Sequence, residues 1–191
     1  MVDSVRCMCM RRAPGVEVLI DERQIANKLM ELGREITSRY DSLLLLGVLT
    51  GAYPTTTNLA FALFEAGMHP DQVEVDFIGV SSHGSSQTSS REPLITKDTK
   101  KPIAGKNVLL TEDIVDSGYS IKTLLQMLNA RGAASLAVFS LLSKPSRREV
   151  DVQIDYVGFK IPNKYVVGYG LDNGDEQYRI LPYIGFISES E

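Results

Sequence analysis

The sequence predicts an α/β fold in which helices flank a mostly parallel, twisted sheet. Strand-like and helix-like segments alternate along the chain, as they do in βαβ units. The strand-like segments are also apolar at successive positions, and Ser42–Leu49, "SLLLLGVL", is the clearest case. A parallel strand is covered on both faces and therefore lacks the polar alternation of a half-exposed strand. Ligands of such sheets bind beyond the carboxyl ends of the strands, and we look for a site there.

The first helix is predicted over Asp21–Tyr40, where Ile25, Leu29, Leu32 and Ile36 share one face. Asp21 is followed three residues later by Gln24, the spacing of a capping box. The segment therefore has both an apolar face and a start signal.

The remaining elements follow the same alternation. Further strands are predicted at Val73–Val80, Val108–Leu110, Ser135–Leu142, Ile154–Phe159 and Tyr165–Leu171. A second helix should be capped near Thr55 or Thr56 and stop at Gly67, and a third should end at Gly132. Ser81–Pro102 is polar and too long for a plain connection, so we expect a mobile functional loop there.

Composition narrows the class of protein. A chain of 191 residues fits one domain, which we place at residues 16–191 after a flexible tail at 1–15. The net charge of −4 argues against nucleic acid as the main partner. No apolar run is long enough to span a bilayer, and the N-terminus lacks the apolar region of a signal peptide. Because Cys7 and Cys9 lack further ligands at metal-site spacing, we expect reduced thiols and a cytoplasmic location.

The most informative stretch is Val108–Leu128, which begins "VLLTEDIVDSGYS". Asp116–Ser120 lies between a strand and a helix, where Gly118 allows close backbone approach and two serines supply hydroxyls. Free amides and the positive dipole end of the helix would hold a phosphate. Neither the Gly-Lys-Ser/Thr of an NTP-binding loop nor a G-x-G-x-x-G pattern is present. A simple helix cap by Ser120 would explain the turn equally well if it stood alone.

The preceding pair Glu112–Asp113 favours a ligand. Carboxylates beside a phosphate are useful when they accept hydrogen bonds from hydroxyls, bind a divalent cation or face developing positive charge. A ribose 5-phosphate meets these conditions together, with its phosphate on the loop and its diol on the acids.

With these residues in view, the chain resembles the type I phosphoribosyltransferases. "VLLTEDIVDSGYS" is similar to their phosphoribosyl pyrophosphate signature. "VDFIGVSSHGSSQTSS" and "LLSKPSRREVDVQIDYVGFKIPNKYVVGYGLD" resemble the hypoxanthine-guanine branch, over roughly Ile20 to Ile187. The resemblance implies a sheet with a small hood and a mobile loop. It also implies a purine salvage transferase that makes inosine or guanosine monophosphate and releases pyrophosphate. Mg²⁺ as cofactor and a homodimer or homotetramer as assembly are implied in the same way.

The resemblance also implies roles around the sugar. Asp116 matches the general base that takes a proton from the imidazole edge of the purine. Glu112 and Asp113 would hold the ribose hydroxyls, directly or through Mg²⁺. The 5′-phosphate would be bound by Asp116, Ser117, Gly118, Tyr119 and Ser120.

Other implied residues contact the base and the pyrophosphate. Lys144 matches the donor to the oxo group of 6-oxopurines, Tyr165 the aromatic that stacks on the base, and Val166 the residue whose backbone contacts its edge. Asp172 matches a purine-site acid that also contacts Mg²⁺, and Arg179 an arginine on the pyrophosphate.

The sequence departs from the family pattern at several positions. Thr50 and Gly51 lie in the implied pyrophosphate loop, which has Thr50 and Ala52 where relatives have lysine and glycine. The usual Ser-Tyr pair of the mobile loop is Ser82 and His83, and "DNGDEQYR" is one residue longer than usual before its arginine. Two alternatives therefore stay open: a transferase for xanthine or broader purines, and a nucleotide-sensing regulatory protein on the same fold.

Overall fold

The computed structural model describes residues 11–81 and 94–187. These residues form three α-helices, α1 Glu22–Thr37, α2 Tyr53–Glu65 and α3 Tyr119–Ala130. The strands are β1 Val16–Ile20, β2 Leu43–Leu49, β3 Val73–Ser81, β4 Leu94–Lys97, β5 Asn107–Val115, β6 Ser135–Ser143, β7 Tyr156–Lys160, β8 Val166–Val167 and β9 Ile184–Ile187. Short 3₁₀ turns lie at Pro70–Gln72 and Pro145–Arg147.

The main sheet has six strands in the order β4-β3-β2-β5-β6-β7. All neighbouring pairs are parallel except β3 with β4, which are antiparallel at the edge. The predicted α/β class with a mostly parallel sheet is thus confirmed. Since β2, β5 and β6 are neighbours and run in one direction, their carboxyl ends meet at one edge.

The core explains the continuous apolar sequence of β2. Leu43 and Leu45 pack into the cluster beneath α1 and α2, whereas Leu44 and Leu46 pack into the cluster beneath α3. Because both faces of the strand are buried, no position favours a polar residue.

Helix ends agree with the sequence only in part. The capping box of α1 is present, with the Gln24 amide donating to Asp21 at 2.8 Å. The predicted cap of α2 near Thr55 or Thr56 is wrong, because Ala52 is the N-cap and both threonines are buried inside the helix. The hydroxyl of Thr56 donates to the Ala52 carbonyl at 2.8 Å, a bond that a helical threonine makes to its own backbone.

A second sheet forms a hood over one end of the main sheet. Its order is β1-β9-β8, and both pairs are antiparallel. The strand predicted at Tyr165–Leu171 is shorter than expected, since only Val166 and Val167 pair before the chain turns. Ala13 donates to the Tyr183 hydroxyl at 2.8 Å, which fixes the start of the described chain to this hood.

None of the helices within residues 11–81 and 94–187 combines the length and apolar character needed to cross a bilayer.

Candidate active site

Strand register brings Asp116 and Lys144 together. Val115 of β5 pairs with Ser143 of β6, so the residues that follow them leave the sheet side by side. The Lys144 amide donates to the Val115 carbonyl at 3.1 Å, and its Nζ lies 4.0 Å from Asp116 Oδ2. Lys144 is 7% exposed, so its ammonium is held in a mostly dry position.

Glu112 and Asp113 lie within β5 rather than beyond it. The strand continues to Val115, past the "VLL" that the apolar pattern predicts, and the acids are consequently part of the sheet. Burial, followed by the charge of Asp113, raises the pKa of Glu112 well above its usual range. Its buried Oε2 has no hydrogen-bond partner among the described residues. A buried acid in this condition is costly until something bonds to it.

Asp113 is in a similar position but is better supported. Burial raises its pKa to about 6, although the Ile114 amide, which donates to Oδ1 at 2.8 Å, and the charge of Arg179 both act against the rise. Asp172 is a second carboxylate nearby, and its charge adds to the rise in the pKa of Asp113. The two neighbouring acids of β5 are therefore both destabilised in their charged forms.

The turn after β2 lies directly against these acids. The Leu49–Thr50 peptide is cis, and a Cβ atom on Gly51 would come 1.6 Å from Asp113 Oδ2. A Cβ atom on Gly170, from the hood, would come 1.9 Å from the Gly51 carbonyl oxygen. A Cβ atom at Gly51 would displace the Asp113 carboxylate, and one at Gly170 would meet backbone, so the predicted pyrophosphate turn lies against the Asp113 side chain of β5 and against the backbone of the hood.

The hood contributes an acid and an arginine to the same place. Arg179 Nη2 donates to Asp172 Oδ2 at 2.7 Å, and Nη1 donates to the Gly170 carbonyl at 2.6 Å. Glu176 takes the outer side of the guanidinium, with its Oε2 3.0 Å from Nε and 2.9 Å from Nη2. Its side chain is 78% exposed and comes from the stretch "DNGDEQYR" that joins Asp172 to Arg179. The sequence pattern does not predict this contact.

The expected phosphate loop joins β5 to α3. Gly118 is the N-cap of α3 with φ +94°, it has no side chain with which to cap the helix, and the first helical turn carries no acid. The simple cap by Ser120 is therefore not what the structure has. A cleft of about 210 Å³ lies beside this turn. It is lined by Val48, Leu49, Gly51, Val80, Glu112, Asp113 and Ser120.

The residues expected to contact the base lie on the hood side. Val166 is buried in β8, whereas Tyr165 is 61% exposed and its hydroxyl lies 3.4 Å from the Asp172 carbonyl oxygen. A mostly exposed aromatic ring whose hydroxyl contacts the backbone suits stacking on a planar ligand. Ser82 and His83, expected on the mobile loop, lie outside the described residues.

Asp116 has one basic contact that the sequence motifs do not predict. Arg147 Nε lies 3.1 Å from Asp116 Oδ1, so the carboxylate has a cation near each oxygen. The signal was the spacing Lys144-x-x-Arg147, which places both residues on one side of a 3₁₀ turn.

The carboxylates of the candidate site suit a metal that is held partly by its substrate. Residues 11–81 and 94–187 contain no group of three or more histidine, cysteine or carboxylate side chains that could hold a metal. Mg²⁺ commonly binds through one or two carboxylates together with substrate phosphates and waters. Glu112, Asp113 and Asp172 fit that use, since the first has an unbonded buried oxygen and the other two are neighbouring carboxylates.

Comparison with known proteins gives one consistent family. The profile of the phosphoribosyl transferase domain matches residues 16–173. The hypoxanthine phosphoribosyltransferase of Salmonella typhimurium is 44% identical over 176 residues, which cover 89% of this chain and 94% of that protein. The hypoxanthine-guanine phosphoribosyltransferase of Bacillus subtilis is 44% identical over 174 residues, covering 90% and 92%.

Solved structures agree with the sequence comparison. A hypoxanthine phosphoribosyltransferase from Staphylococcus aureus superposes with a TM-score of 0.81 at 39% identity, over 90% of this chain and 91% of that one. The Trypanosoma cruzi enzyme in complex with its product IMP gives 0.85 at 35% identity, over 93% and 97%.

Proposed function

The chain belongs to the hypoxanthine phosphoribosyltransferase family, and from this premise we propose that it joins a 6-oxopurine to phosphoribosyl pyrophosphate. The products would be inosine or guanosine monophosphate and pyrophosphate. The observation that carries the proposal is the pair Glu112–Asp113 beside the N-terminus of α3: a buried oxygen of Glu112 lacks a hydrogen-bond partner among the described residues, and burial raises the pKa of both acids. A ribose diol and a phosphate supply what those groups lack.

In this proposal the base is held by Lys144 and Tyr165. A lysine donates only, so its ammonium suits the exocyclic oxygen of hypoxanthine or guanine, whereas the amino group of adenine would leave it without an acceptor. Tyr165 stacks on the ring, and the backbone of Val166 contacts its edge. The 4.0 Å between Lys144 Nζ and Asp116 Oδ2 is short enough for one purine edge to contact both groups.

The sugar is held at both ends. The amides and hydroxyls of Asp116–Ser120 take the 5′-phosphate at the helix N-terminus. Glu112 and Asp113 accept hydrogen bonds from the ribose hydroxyls. Arg179 and the backbone of Thr50 and Gly51 face the pyrophosphate, for which the planar guanidinium is a suitable donor.

The reaction is a displacement at the anomeric carbon. A purine ring nitrogen forms the bond to C1′ as the bond from C1′ to the pyrophosphate oxygen breaks, and the electron pair leaves with pyrophosphate. The carboxylate of Asp116 takes the proton from the imidazole edge of the purine. The carboxylates of β5 stabilise the positive charge that builds on the sugar. When bound, Mg²⁺ would supply Lewis-acid stabilisation of the departing pyrophosphate, and one or two carboxylates from among Glu112, Asp113 and Asp172 would hold it together with substrate oxygens and waters.

The test is a product assay with four bases. Hypoxanthine, guanine, xanthine and adenine are each incubated with phosphoribosyl pyrophosphate and Mg²⁺, and the nucleotide is identified by mass spectrometry. We expect inosine monophosphate from hypoxanthine, with adenine used at least 100-fold less well, because a mismatched polar contact is a strong discriminator. Efficient use of adenine would contradict the role given to Lys144. Asp116→Asn should lose activity, and Asp98→Asn, a surface change, should not.

Two further parts of the proposal concern context. We expect a homodimer or homotetramer, supported by the exposed apolar side chains of Phe61, Phe64 and Ile180, and light scattering coupled to size-exclusion chromatography tests it. A cytoplasmic location stays a prediction, for which cell fractionation is the measurement.

A further inference from the structure

The environment of Asp116 points to a second residue that acts on the reaction. Its carboxylate is divided between two cations: Oδ2 lies 4.0 Å from Lys144 Nζ, and Oδ1 lies 3.1 Å from Arg147 Nε. The Asp116 side chain is 40% exposed, so packing against the rest of the protein does not by itself fix the orientation of its carboxylate. The ion pair with Arg147 holds one of its oxygens directly, and Arg148 lies near enough for its charge to interact with the same carboxylate.

The position of Arg147 follows from a short helix. Arg147 N–H donates to the Lys144 carbonyl at 3.0 Å, the i to i+3 bond of a 3₁₀ turn. Side chains three residues apart eclipse one another in such a turn. Lys144 and Arg147 therefore extend in the same direction from one rigid unit, and Pro145 restricts the backbone between them.

Hydrogen bonds join the segment that follows the 3₁₀ turn to the Asp116–Ser120 loop. The amides of Glu149 and Val150 donate to the Ser117 carbonyl at 3.0 and 3.2 Å. Arg148 donates through Nη2 to the Ser143 hydroxyl at 3.1 Å, which ties the same segment to the end of β6. The backbone around Arg147 is thus held both to the Asp116–Ser120 loop and to the end of β6, and Arg147 contacts Asp116 from this fixed position.

We propose that Arg147 is a positioning residue, which holds Oδ1 of Asp116 so that Oδ2 faces the purine edge selected by Lys144. This inference rests on the proposed function, because it assigns the two oxygens of the general base to different tasks. Oδ1 accepts the hydrogen bond from Arg147, and Oδ2 accepts the proton from the imidazole edge. Arg147 itself touches no reacting atom.

The chemistry explains why orientation matters. Proton transfer requires the accepting oxygen to be within hydrogen-bond reach of the donor nitrogen, and small displacements of a catalytic group reduce the rate sharply. If Arg147 is removed, the carboxylate can rotate until both oxygens share Lys144, which places neither where the base needs it. Binding of phosphoribosyl pyrophosphate does not use Arg147 in this account.

The experiment measures kcat and KM for Arg147→Gln, Arg147→Lys and the wild type, with hypoxanthine as base. We expect Arg147→Gln to reduce kcat about 10-fold with KM for both substrates within about twofold, and Arg147→Lys to restore most of the loss. Arg131→Gln is the matched control, because Arg131 forms a comparable pair with Asp98 at 2.9 Å outside the candidate site. That control should behave as the wild type. Thermal melting of each variant identifies any loss of folded protein, which is not expected for a side chain that is half exposed.

A second arm separates positioning from other roles. In an Asp116→Asn background the further change Arg147→Gln should cost almost nothing, since the group through which it acts is gone. Equal losses in both backgrounds would overturn the proposal. So would an unchanged kcat in the single variant, or a raised KM for phosphoribosyl pyrophosphate alone, which would make Arg147 a phosphate-binding residue. A wild-type protein that makes no nucleotide would instead refute the proposed function.

Discussion

Replacing Asp113 with asparagine should make the unliganded protein more stable at neutral pH while weakening its use of phosphoribosyl pyrophosphate. Folding raises the pKa of this carboxyl from 3.8 to about 6, with burial as the main cause. The folded protein therefore binds the proton more tightly than the unfolded chain does. The associated stability is fully present below pH 3.8 and is lost as the pH rises through about 6.

The expected magnitude follows from the shift. A rise of about 2 pKa units corresponds to about 3 kcal/mol of destabilisation once the group is ionised. Asparagine removes the charge, and its side-chain oxygen can still accept from the Ile114 amide. We therefore expect Asp113→Asn to raise the free energy of unfolding at pH 8 by about 1–3 kcal/mol. For a protein of this size the melting temperature would rise by roughly 2–4 °C per kcal/mol.

Urea denaturation at pH 8 and at pH 4 measures the effect. The gain should be present at pH 8 and nearly absent at pH 4, where the wild-type carboxyl is mostly protonated. Asp98→Asn is the control, because the hydrogen bond from Arg131 lowers the pKa of Asp98 and the same substitution should therefore not stabilise the protein. A variant no more stable than the wild type at pH 8, or equally stabilised at both pH values, would refute the reasoning.

Three other predictions concern the base and pyrophosphate sides. Lys144→Gln should reduce kcat/KM for hypoxanthine at least 10-fold. It should also lower the ratio of kcat/KM for hypoxanthine to that for adenine, because an amide can accept as well as donate a hydrogen bond. An unchanged ratio in competition assays would contradict this. Gly51→Ala should reduce activity and lower the melting temperature, since the added Cβ meets Asp113 Oδ2 at 1.6 Å and displaces that carboxylate. Normal kinetics would show that the Asp113 carboxylate can move aside without loss of function. Glu176→Gln should lower KM for phosphoribosyl pyrophosphate a few-fold, because that carboxylate occupies the Nε and Nη2 donors of Arg179; a higher KM would mean that it helps binding.

Much of the fold was predictable because a strand that is buried on both faces is apolar at successive positions in the sequence. The run at β2 is apolar throughout since alternate leucines enter different cores. The capping box at Asp21 and Gln24 was predictable because it depends only on residues three apart. The cap of α2 was mispredicted because a threonine at a helix start and a threonine bonded to its own helix have the same local sequence.

The hood was harder to predict than the main sheet. β1 and β9 are separated by almost the whole chain, and the pairing of Val16 with Ile187 depends on contacts that no local pattern encodes. The two-residue strand β8 is too short to show a periodicity.

The acids and the phosphate loop were predictable as a group, because their spacing in one segment is itself informative. Their energetics were not, since the burial of Glu112 depends on β5 continuing into the sheet. The contacts of Arg147 with Asp116 and of Glu176 with Arg179 depend on turn geometry and became visible only in three dimensions.

In the proposed function, Glu112 and Asp113 bind a sugar phosphate. The sharpest test of this role is the affinity of the wild type and of Asp113→Asn for the Mg²⁺ complex of phosphoribosyl pyrophosphate. Isothermal titration calorimetry at pH 8, in one buffer, measures the affinity of each protein. We expect an affinity about 10- to 100-fold lower in the variant, the size of effect that follows the loss of a hydrogen bond to a charged group. Equal affinities would contradict it, because the acid would then destabilise the protein without serving the ligand.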